Sequence, residues 1–488
     1  METFGQESWL VHKSASITTG PQQPLYEWLL YYDPDNPFEL KPGLAESWDH
    51  KDFKEWTFKI RQGVQWDKNQ GEVTAEDVAY TLNLISREDA KSTDTPFWRP
   101  RVMSMKVVDK YTLTFSFDTI EPVVAYHLSN WRRTQMMSKN YIEGVGEDKA
   151  DREPVGSGPY RLDKHVQGSE VELVARGTDH WRVPAKWEKM VFKNVPESTT
   201  RLAMLDTGRA DVALLDFEQL EEAKAKGLAL YPVEGTSQFC IMFGGMFAKS
   251  HPNYKGDAPW HDIRVREAMC IAIDREAINK TFFANLGTYE ATPGNNVAPL
   301  DTVADMPMPY DPDRAKQLLT EAGKQGFPAK IISYVYPGLP QTPQVVEAIA
   351  GYWEAIGIKP EITPMDRIAF RSLWLEDKTN GMLWPWGNPV QPLYEARFEK
   401  FFYSEDIGFQ IFTDDHLDSV YKELQTTVDR TKRAQMLADA QRYLRKNWAA
   451  CHVCNVPQSI YGVVPSRVGE WKPRRAGQST TWEYLGPK

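Results

Sequence analysis

No apolar run in this 488-residue sequence approaches the ~18 residues needed to span a bilayer, so no transmembrane helix is expected. Basic clusters are equally scarce. Arg132-Arg133 and Arg474-Arg475 stand as isolated pairs in a chain of formal net charge −10, which lacks the electrostatic footprint of a nucleic-acid binder. There is no HExxH, no GxSxG and no Walker A, and the nine histidines have no i, i+3 or i, i+4 partners. Gly156-Ser157-Gly158-Pro159-Tyr160 punctuates the chain, but it has neither the lysine nor the spacing of a phosphate cradle. No repeat or low-complexity tract is present. These absences leave no catalytic residue, metal ligand or cofactor to assign, and any acid pair drawn from 67 carboxylates would be arbitrary.

Cysteine is also sparse. Cys240, Cys270, Cys451 and Cys454 allow three complete pairings, among which spacing does not choose. Cys451-His452-Val453-Cys454 is a CxxC, but Val456-Pro457 follows it, so the region reads as extended chain with its two thiols on opposite sides. A redox pair normally opens a helix, and a zinc site would need a second ligand pair. Buried thiols acting as small hydrophobes are favoured.

What the chain has in quantity is length and aromatic surface. At ~100 to 200 residues per domain it should hold two to four domains. Hydrophobic residues at 41% and charged residues at 25% fit a globular protein rather than a disordered one. Seventeen Trp, 21 Tyr and 21 Phe supply many flat faces, most for cores and some available to a wide ligand cleft.

The most legible stretch runs from Gly43 to Ile85. Trp56, Phe58 and Ile60 alternate with polar residues as in a strand with one face on a core. Thr74 stands three residues before Asp77 in a capping-box pattern, and Val78, Leu82 and Ile85 recur at helical spacing. Before this stretch, the loop from Thr18 to Pro24 leads into an expected short helix at about Leu25 to Tyr31, and the turn cluster Asp33-Pro34-Asp35-Asn36-Pro37 follows. After it come a hairpin (Val102 to Val108, Tyr111 to Phe117) and strands at Val171 to Ala175, Lys189 to Val195 and Ala210 to Leu215. Residues 238–247, QFCIMFGGMF, read as a buried strand. From Lys330 onward strand, helix, strand, helix, strand alternate, which predicts a mainly parallel sheet with ligand contacts at strand carboxyl ends. Two amphipathic helices, about Asp415 to Thr427 and Thr431 to Asn447, precede extended chain at Cys451 to Val464.

GLAESW, WTFKIRQGVQW and TAEDVAYTLNLI resemble the signature of the family 5 extracellular solute-binding proteins of ABC importers, whose members take dipeptides, oligopeptides, nickel and some oligosaccharides. GSGPY, DIRVREAMCIAIDREAI (262–278) and Val468-Gly469-Glu470-Trp471 resemble further elements of that family in the same order. The resemblance implies an α/β, two-lobed periplasmic-binding-protein fold (type II, cluster C) with an extra inserted subdomain. Lobe I would take 1–38, 155–245 and 457–488, the inserted subdomain 39–154, and lobe II 246–456. Crossings near 240–260 and 450–457 would form the hinge, and Cys240 and Cys454 at those crossings are expected to approach each other.

The implied role is a non-catalytic, periplasmic or membrane-anchored extracytoplasmic receptor, a monomer that closes on a small solute and presents it to the permease subunits of an ABC importer. Met1 would then be a cloning start behind a removed signal sequence. In dipeptide-type members, a Trp followed shortly by an Asp anchors the ligand's ammonium group. Here the corresponding stretch is Trp384-Pro385-Trp386-Gly387-Asn388-Pro389-Val390-Gln391-Pro392, with Asn388 in place of the Asp and Gln391 in place of a second acid. Losing a charge-assisted bond worth ~1.5 to 3 kcal/mol disfavours a free peptide amino terminus. The amide suits a neutral sugar, an amide or an aromatic solute, with Trp384 or Trp386 as a stacking face; both Trp could equally be core and Asn388 a turn cap. Nickel lacks a histidine cluster, although a metal–chelator complex would need few protein ligands.

Further candidates are Gln22 and Gln23 in their Pro-flanked loop, Phe239 and Met242 on the apolar strand, Tyr336 at a strand end, and Trp131 beside Arg132. Each has an ordinary structural alternative: a polar turn, a core, or a snorkelling surface pair. A carbohydrate-active hydrolase would instead need two carboxylates ~5 to 9.5 Å apart across a scissile bond. A sensory receptor uncoupled from transport is the third class.

Overall fold

The computed structural model describes all residues except 2, 3, 5, 6, 14–19, 33–38, 178, 234, 235, 290–302, 304, 337, 390–394, 406–408, 458, 470, 472, 474, 477 and 478, and except the side chains of 100–103, 236, 388, 389, 396, 397, 475, 476, 479 and 480. Thr18, Thr19, the turn at 33–37, Gln391 and Glu470 therefore lie outside the described residues, as does the side chain of Asn388. The chain forms two compact units, Met1–Glu234 with Ser459–Lys488, and Gly235–Gln458.

In the first unit, strands β1 (Leu30–Tyr32) and β2 (Leu40–Pro42) pair antiparallel. The helix expected from Leu25 to Tyr31 does not form, because its carbonyls accept from distant amides instead of from the fourth residue on. Leu25 O takes Gly158 N, Glu27 O takes Met136 N, Trp28 O takes Leu44 N, and Leu29 O takes Gly43 N and Ala45 N. The stretch from Gly43 to Ile85 folds as its pattern dictates. Strands β3 (Ala45–Lys51) and β4 (Glu55–Ile60) form a hairpin, and helix α1 (Ala75–Ser86) follows. Strands β5 (Val102–Asp109) and β6 (Thr112–Phe117) complete an antiparallel sheet of order β3-β4-β6-β5. Trp56, Phe58 and Ile60 are buried together with Leu113 and Phe115, and α1 buries Val78, Leu82 and Ile85. Asp77 accepts from Thr74 N at 2.9 Å, as the capping box requires, and its second oxygen accepts from Lys139 N at 2.9 Å.

The rest of this unit holds two three-stranded antiparallel sheets. One is β7 (Tyr160–Val166), β8 (Glu170–Ala175) and β9 (Lys189–Lys193). The other sets β10 (Val212–Leu215) and β11 (Ala229–Pro232) on either side of the strand Ile460–Val463. Arg182 ties distant parts of the unit together: its guanidinium donates to both oxygens of Glu27, at 2.7 and 2.9 Å, and to Glu483 at 3.3 Å. A buried cation shared by two carboxylates removes the penalty that either acid would carry alone.

The second unit is organised on one five-stranded sheet. Its strands are β12 (Thr236–Phe243), β13 (Pro328–Ser333), β14 (Lys359–Pro364), β15 (Met382–Pro389) and β16 (Ala450–Pro457), in the order β14-β13-β15-β12-β16. Helix α2 (Ile263–Ile271) is capped by Asp262, α3 (Thr342–Ala355) links β13 to β14, and α4 (Arg367–Leu375) links β14 to β15. The sheet is mixed, not mainly parallel. β13 pairs parallel with β14 and β15, but β12 runs antiparallel to both β15 and β16. Residues 236–243 are bonded on both sides to strands of this unit, which begins at Gly235, whereas the expected second lobe begins at 246.

Cys270 of α2 and Cys451 of β16 form a disulfide with Cα atoms 4.9 Å apart. All four cysteines as free small hydrophobes is therefore corrected for this pair. Cys240 and Cys454 are the free, fully buried ones, on adjacent strands. Burial pushes both thiols well above the ordinary range. Among the described residues, no helix is long and apolar enough to cross a membrane.

Candidate functional site

Six of the nine candidate residues lie in the second unit, on or beside β15. Because the side-chain period of a strand is two, Trp384 and Trp386 share one face, and in antiparallel register Met242 stands opposite Trp384 and Cys240 opposite Trp386. Their surroundings nevertheless diverge. Trp384 is fully buried, packed against Phe370 and Trp374 of α4 with ring centroids 5.4 and 5.5 Å apart. Phe239 and Met242 are also 0% exposed, Phe239 lying 6.2 Å from Phe283 on the sheet's other face. All three pack in the core of this unit, which is the structural alternative each of them carried.

Trp386, two residues further on, is only partly covered. Trp374 meets it edge-on at 4.5 Å and Tyr336 edge-on at 5.7 Å, which is favourable aromatic geometry. Its indole nitrogen has no hydrogen-bond partner among the described residues. Two tyrosines from the end of β13 fix the strand beneath it: Tyr334 donates its hydroxyl to Pro385 O, and Tyr336 donates to Gly387 O. Burial pushes the Tyr334 hydroxyl far above its usual range, so it remains a donor. The arrangement sits at the carboxyl ends of β13 and β15, where the topological rule for α/β sheets places ligands.

Five neighbours of Trp386 carry no motif and were not singled out from the sequence: Tyr334, Trp374, Phe409, Arg367 and Arg371. A signal was there. In RIAFRSLWL, Phe370 and Trp374 recur at i, i+4 as a buried stripe, and Arg367 and Arg371 recur at the same spacing on a second face.

The other three candidates lie in the first unit, and all are buried. Gln22 donates to Ser8 O at 2.7 Å and accepts from Gln135 at 3.3 Å and Arg133 at 3.5 Å. Gln23 is 2% exposed, and its carbonyl oxygen has no partner among the described residues. Gln22 and Gln23 are thus packed side chains rather than parts of a solvated turn. Trp131 is also mostly covered, edge-on to Tyr32 at 6.2 Å. Its neighbour Arg132 is no snorkelling surface residue: it donates to the fully buried Asp94 at 2.6 Å. His127 meets the same carboxylate at 3.0 Å, and the Arg132 charge together with the His127 hydrogen bond holds Asp94 well below the carboxylate range against its burial.

Two cavities lie apart from the candidate residues. One, of about 460 Å³, is lined by Arg275, Tyr289, Met308, Tyr310 and Arg445 in the second unit; the other, of about 280 Å³, lies between β9 and β10 in the first. No candidate side chain lines either.

The family model described as bacterial extracellular solute-binding proteins, family 5 middle, matches residues 39–407. The chain is 25% identical over 377 residues to a dipeptide-binding protein of Escherichia coli (strain K12), covering 70% of this chain and 66% of that protein. It is 30% identical over 345 residues to the glutathione-binding protein GsiB of Salmonella typhimurium (strain LT2), covering 68% and 62%. The matched region thus spans about two thirds of the length of these curated relatives. Among solved structures, NikA from Brucella suis in complex with Fe(III)-EDTA superposes with a TM-score of 0.81 at 18% identity, over 100% of this chain and 99% of that one. That likeness shows the α/β fold.

Proposed function

The chain belongs to the bacterial extracellular solute-binding proteins, family 5, and from that premise we propose that it is the extracytoplasmic receptor of an ABC importer. It captures a small polar organic solute and delivers it to the membrane permease. The partition into lobe I, inserted subdomain and lobe II belongs to this reading, as does a monomeric state. One observation carries the choice of site: Trp386 is the part-exposed ring of a buried aromatic cluster, at the strand carboxyl end where the resemblance puts the ligand anchor. Trp386 and Tyr336 are its solute wall in the second unit, Asn388 is the polar candidate on the same strand, and Gln22, Gln23 and Trp131 are the candidate contacts of the first unit. A sugar, an aromatic amide and a peptide each offer the flat or apolar face this wall needs. Only a solute with greater affinity for the closed form shifts the receptor toward it, and going from 1% to 99% closed takes roughly 5.5 kcal/mol of difference.

The disulfide between Cys270 and Cys451 supports an oxidising, extracytoplasmic setting. Native mass spectrometry of gently purified protein should reveal a retained small molecule. A thermal-shift screen is the second arm, because solute at ~100 times its dissociation constant adds about 2.7 kcal/mol of stability. Peptides, sugars and aromatic amides that all leave the transition unmoved would overturn the receptor reading.

A further inference from the structure

We propose that Arg367 and Arg371 are the anion-recognition side of the solute site, so that the captured solute carries a carboxylate beside an apolar or flat body. This rests on the receptor reading above, and narrows its solute class.

The two arginines follow from the build of α4. Its buried stripe, Phe370 and Trp374, packs onto the aromatic cluster and thereby fixes where the neighbouring i, i+4 pair emerges. The Arg367 guanidinium lies 5.8 Å from the centroid of the Tyr336 ring, and that of Arg371 lies 4.7 Å from the Phe409 ring. Tyr336 touches Trp386 directly, and Phe409 reaches it through Trp374, 4.9 Å away. Each cation is therefore one or two rings from the part-exposed indole. Lys400 adds a third positive charge, 4.6 Å from the Phe409 ring.

The two arginines differ from Lys400 in their pairing. Neither guanidinium is ion-paired with a carboxylate among the described residues. The nearest acids in sequence are engaged elsewhere: Asp366 caps the helix, accepting from Ile368 N at 2.8 Å and Ala369 N at 3.1 Å, and Glu376 pairs with Lys378 at 2.5 Å. Other arginines of this unit meet partners. Arg433 forks onto Glu395 and Arg442 onto Asp305, while Arg266, Arg275 and Arg445 donate to backbone carbonyls. Like charges at i, i+4 repel, and partial burial together with Arg367 lowers the Arg371 pKa. Arg367 is part-covered and Arg371 exposed, each beside an aromatic ring and without a carboxylate partner among the described residues, so both forks are open to a planar carboxylate, which a guanidinium meets with two parallel hydrogen bonds. Ile368 and Val335, 73% and 58% exposed, supply apolar surface from the same two segments for the rest of such a molecule.

The test pairs acids with their amides. N-acetylphenylalanine, hippurate and glutathione, and the corresponding amides, are titrated by calorimetry against wild type, Arg367→Gln, Arg371→Gln, the double variant and Trp386→Ala. Circular dichroism and the melting temperature of each free variant report its folding. At least one acid should bind wild type tenfold or more tighter than its amide. The double variant should lower that acid's affinity about tenfold or more and leave the amide's unchanged, and raising sodium chloride from 50 to 500 mM should weaken only the acid. Equal affinities for acid and amide, or acid binding untouched in the double variant, overturn the inference. If amides bind, depend on Trp386 and ignore both arginines, the aromatic wall stands and the carboxylate falls. If no probe binds at 10 mM, the inference falls and the wall loses its support as well.

Discussion

Tyr336 donates its hydroxyl to the carbonyl of Gly387, and its ring occupies the space that any larger residue at position 387 would need. A Cβ built on Gly387 would stand 2.6 Å from the Cε1 of that ring. The strand carrying Trp386 and the tyrosine that props it are thus fitted to one another through the absence of a side chain. Gly387→Ala should drive the Tyr336 ring away, at a cost of about 1 to 3 kcal/mol for an overpacked site. Because Trp386 loses its edge contact, the intrinsic fluorescence should shift along with the melting temperature. An unchanged spectrum and melting point would mean that the ring gives way freely.

Trp384 and Trp386 provide an internal comparison on one strand face. Trp384→Ala opens a cavity among Phe370 and Trp374 and should cost about 3 to 5 kcal/mol, read as a large fall in the unfolding midpoint. Trp386→Ala removes a ring that solvent already reaches, so its stability loss should be less than half as large. Solute binding should respond in the opposite order among the folded protein that remains. Equal destabilisation by the two would show that Trp386 is as much a core residue as its neighbour.

That contrast also marks how far the sequence could be read. The alternation of Trp56, Phe58 and Ile60, the capping pair Thr74 and Asp77, and the strand–helix–strand order after Lys330 are local signals, and each forms where its period dictates. Trp384 and Trp386 are locally indistinguishable. Their difference comes from α4, which sets both Phe370 and Trp374 against Trp384 but only the edge of Trp374 against Trp386. The helix expected at Leu25 to Tyr31 failed for a related reason, since amides over a hundred residues away claim two of its carbonyls. Four cysteines left three pairings open because only the fold brings Cys270 to Cys451.

The disulfide closes a separation of 181 residues, and a loop of that length restricts the unfolded chain strongly. Replacing both Cys270 and Cys451 by alanine should cost on the order of 3 to 5 kcal/mol. Thiol titration gives the direct check. In denaturant without reductant two thiols should react, those of Cys240 and Cys454, and four should react after reduction. Native protein should react slowly or not at all, because both free thiols are fully buried and held protonated. Four reactive thiols in denaturant alone would dismiss the pairing.

His452 should give the second unit a pH-dependent stability. It is buried in β16, and its pKa is pushed down to about 3, chiefly by burial, with Arg275 and Arg445 adding to the effect and a hydrogen bond donated to Asn455 Oδ1 opposing it. In the unfolded chain the imidazole takes a proton near pH 6.5. The depressed folded value means that below this point the unfolded state binds the extra proton. The stabilisation is therefore complete above about pH 6.5 and is lost progressively as pH falls toward 3, at roughly 1.4 kcal/mol per unit. Between pH 6.5 and 4.5 wild type should lose on the order of 2 to 3 kcal/mol that His452→Gln does not lose. Urea unfolding of the two proteins across that range measures the difference. The carboxylates contribute equally to both, so parallel curves would mean that His452 is not held neutral in the folded protein.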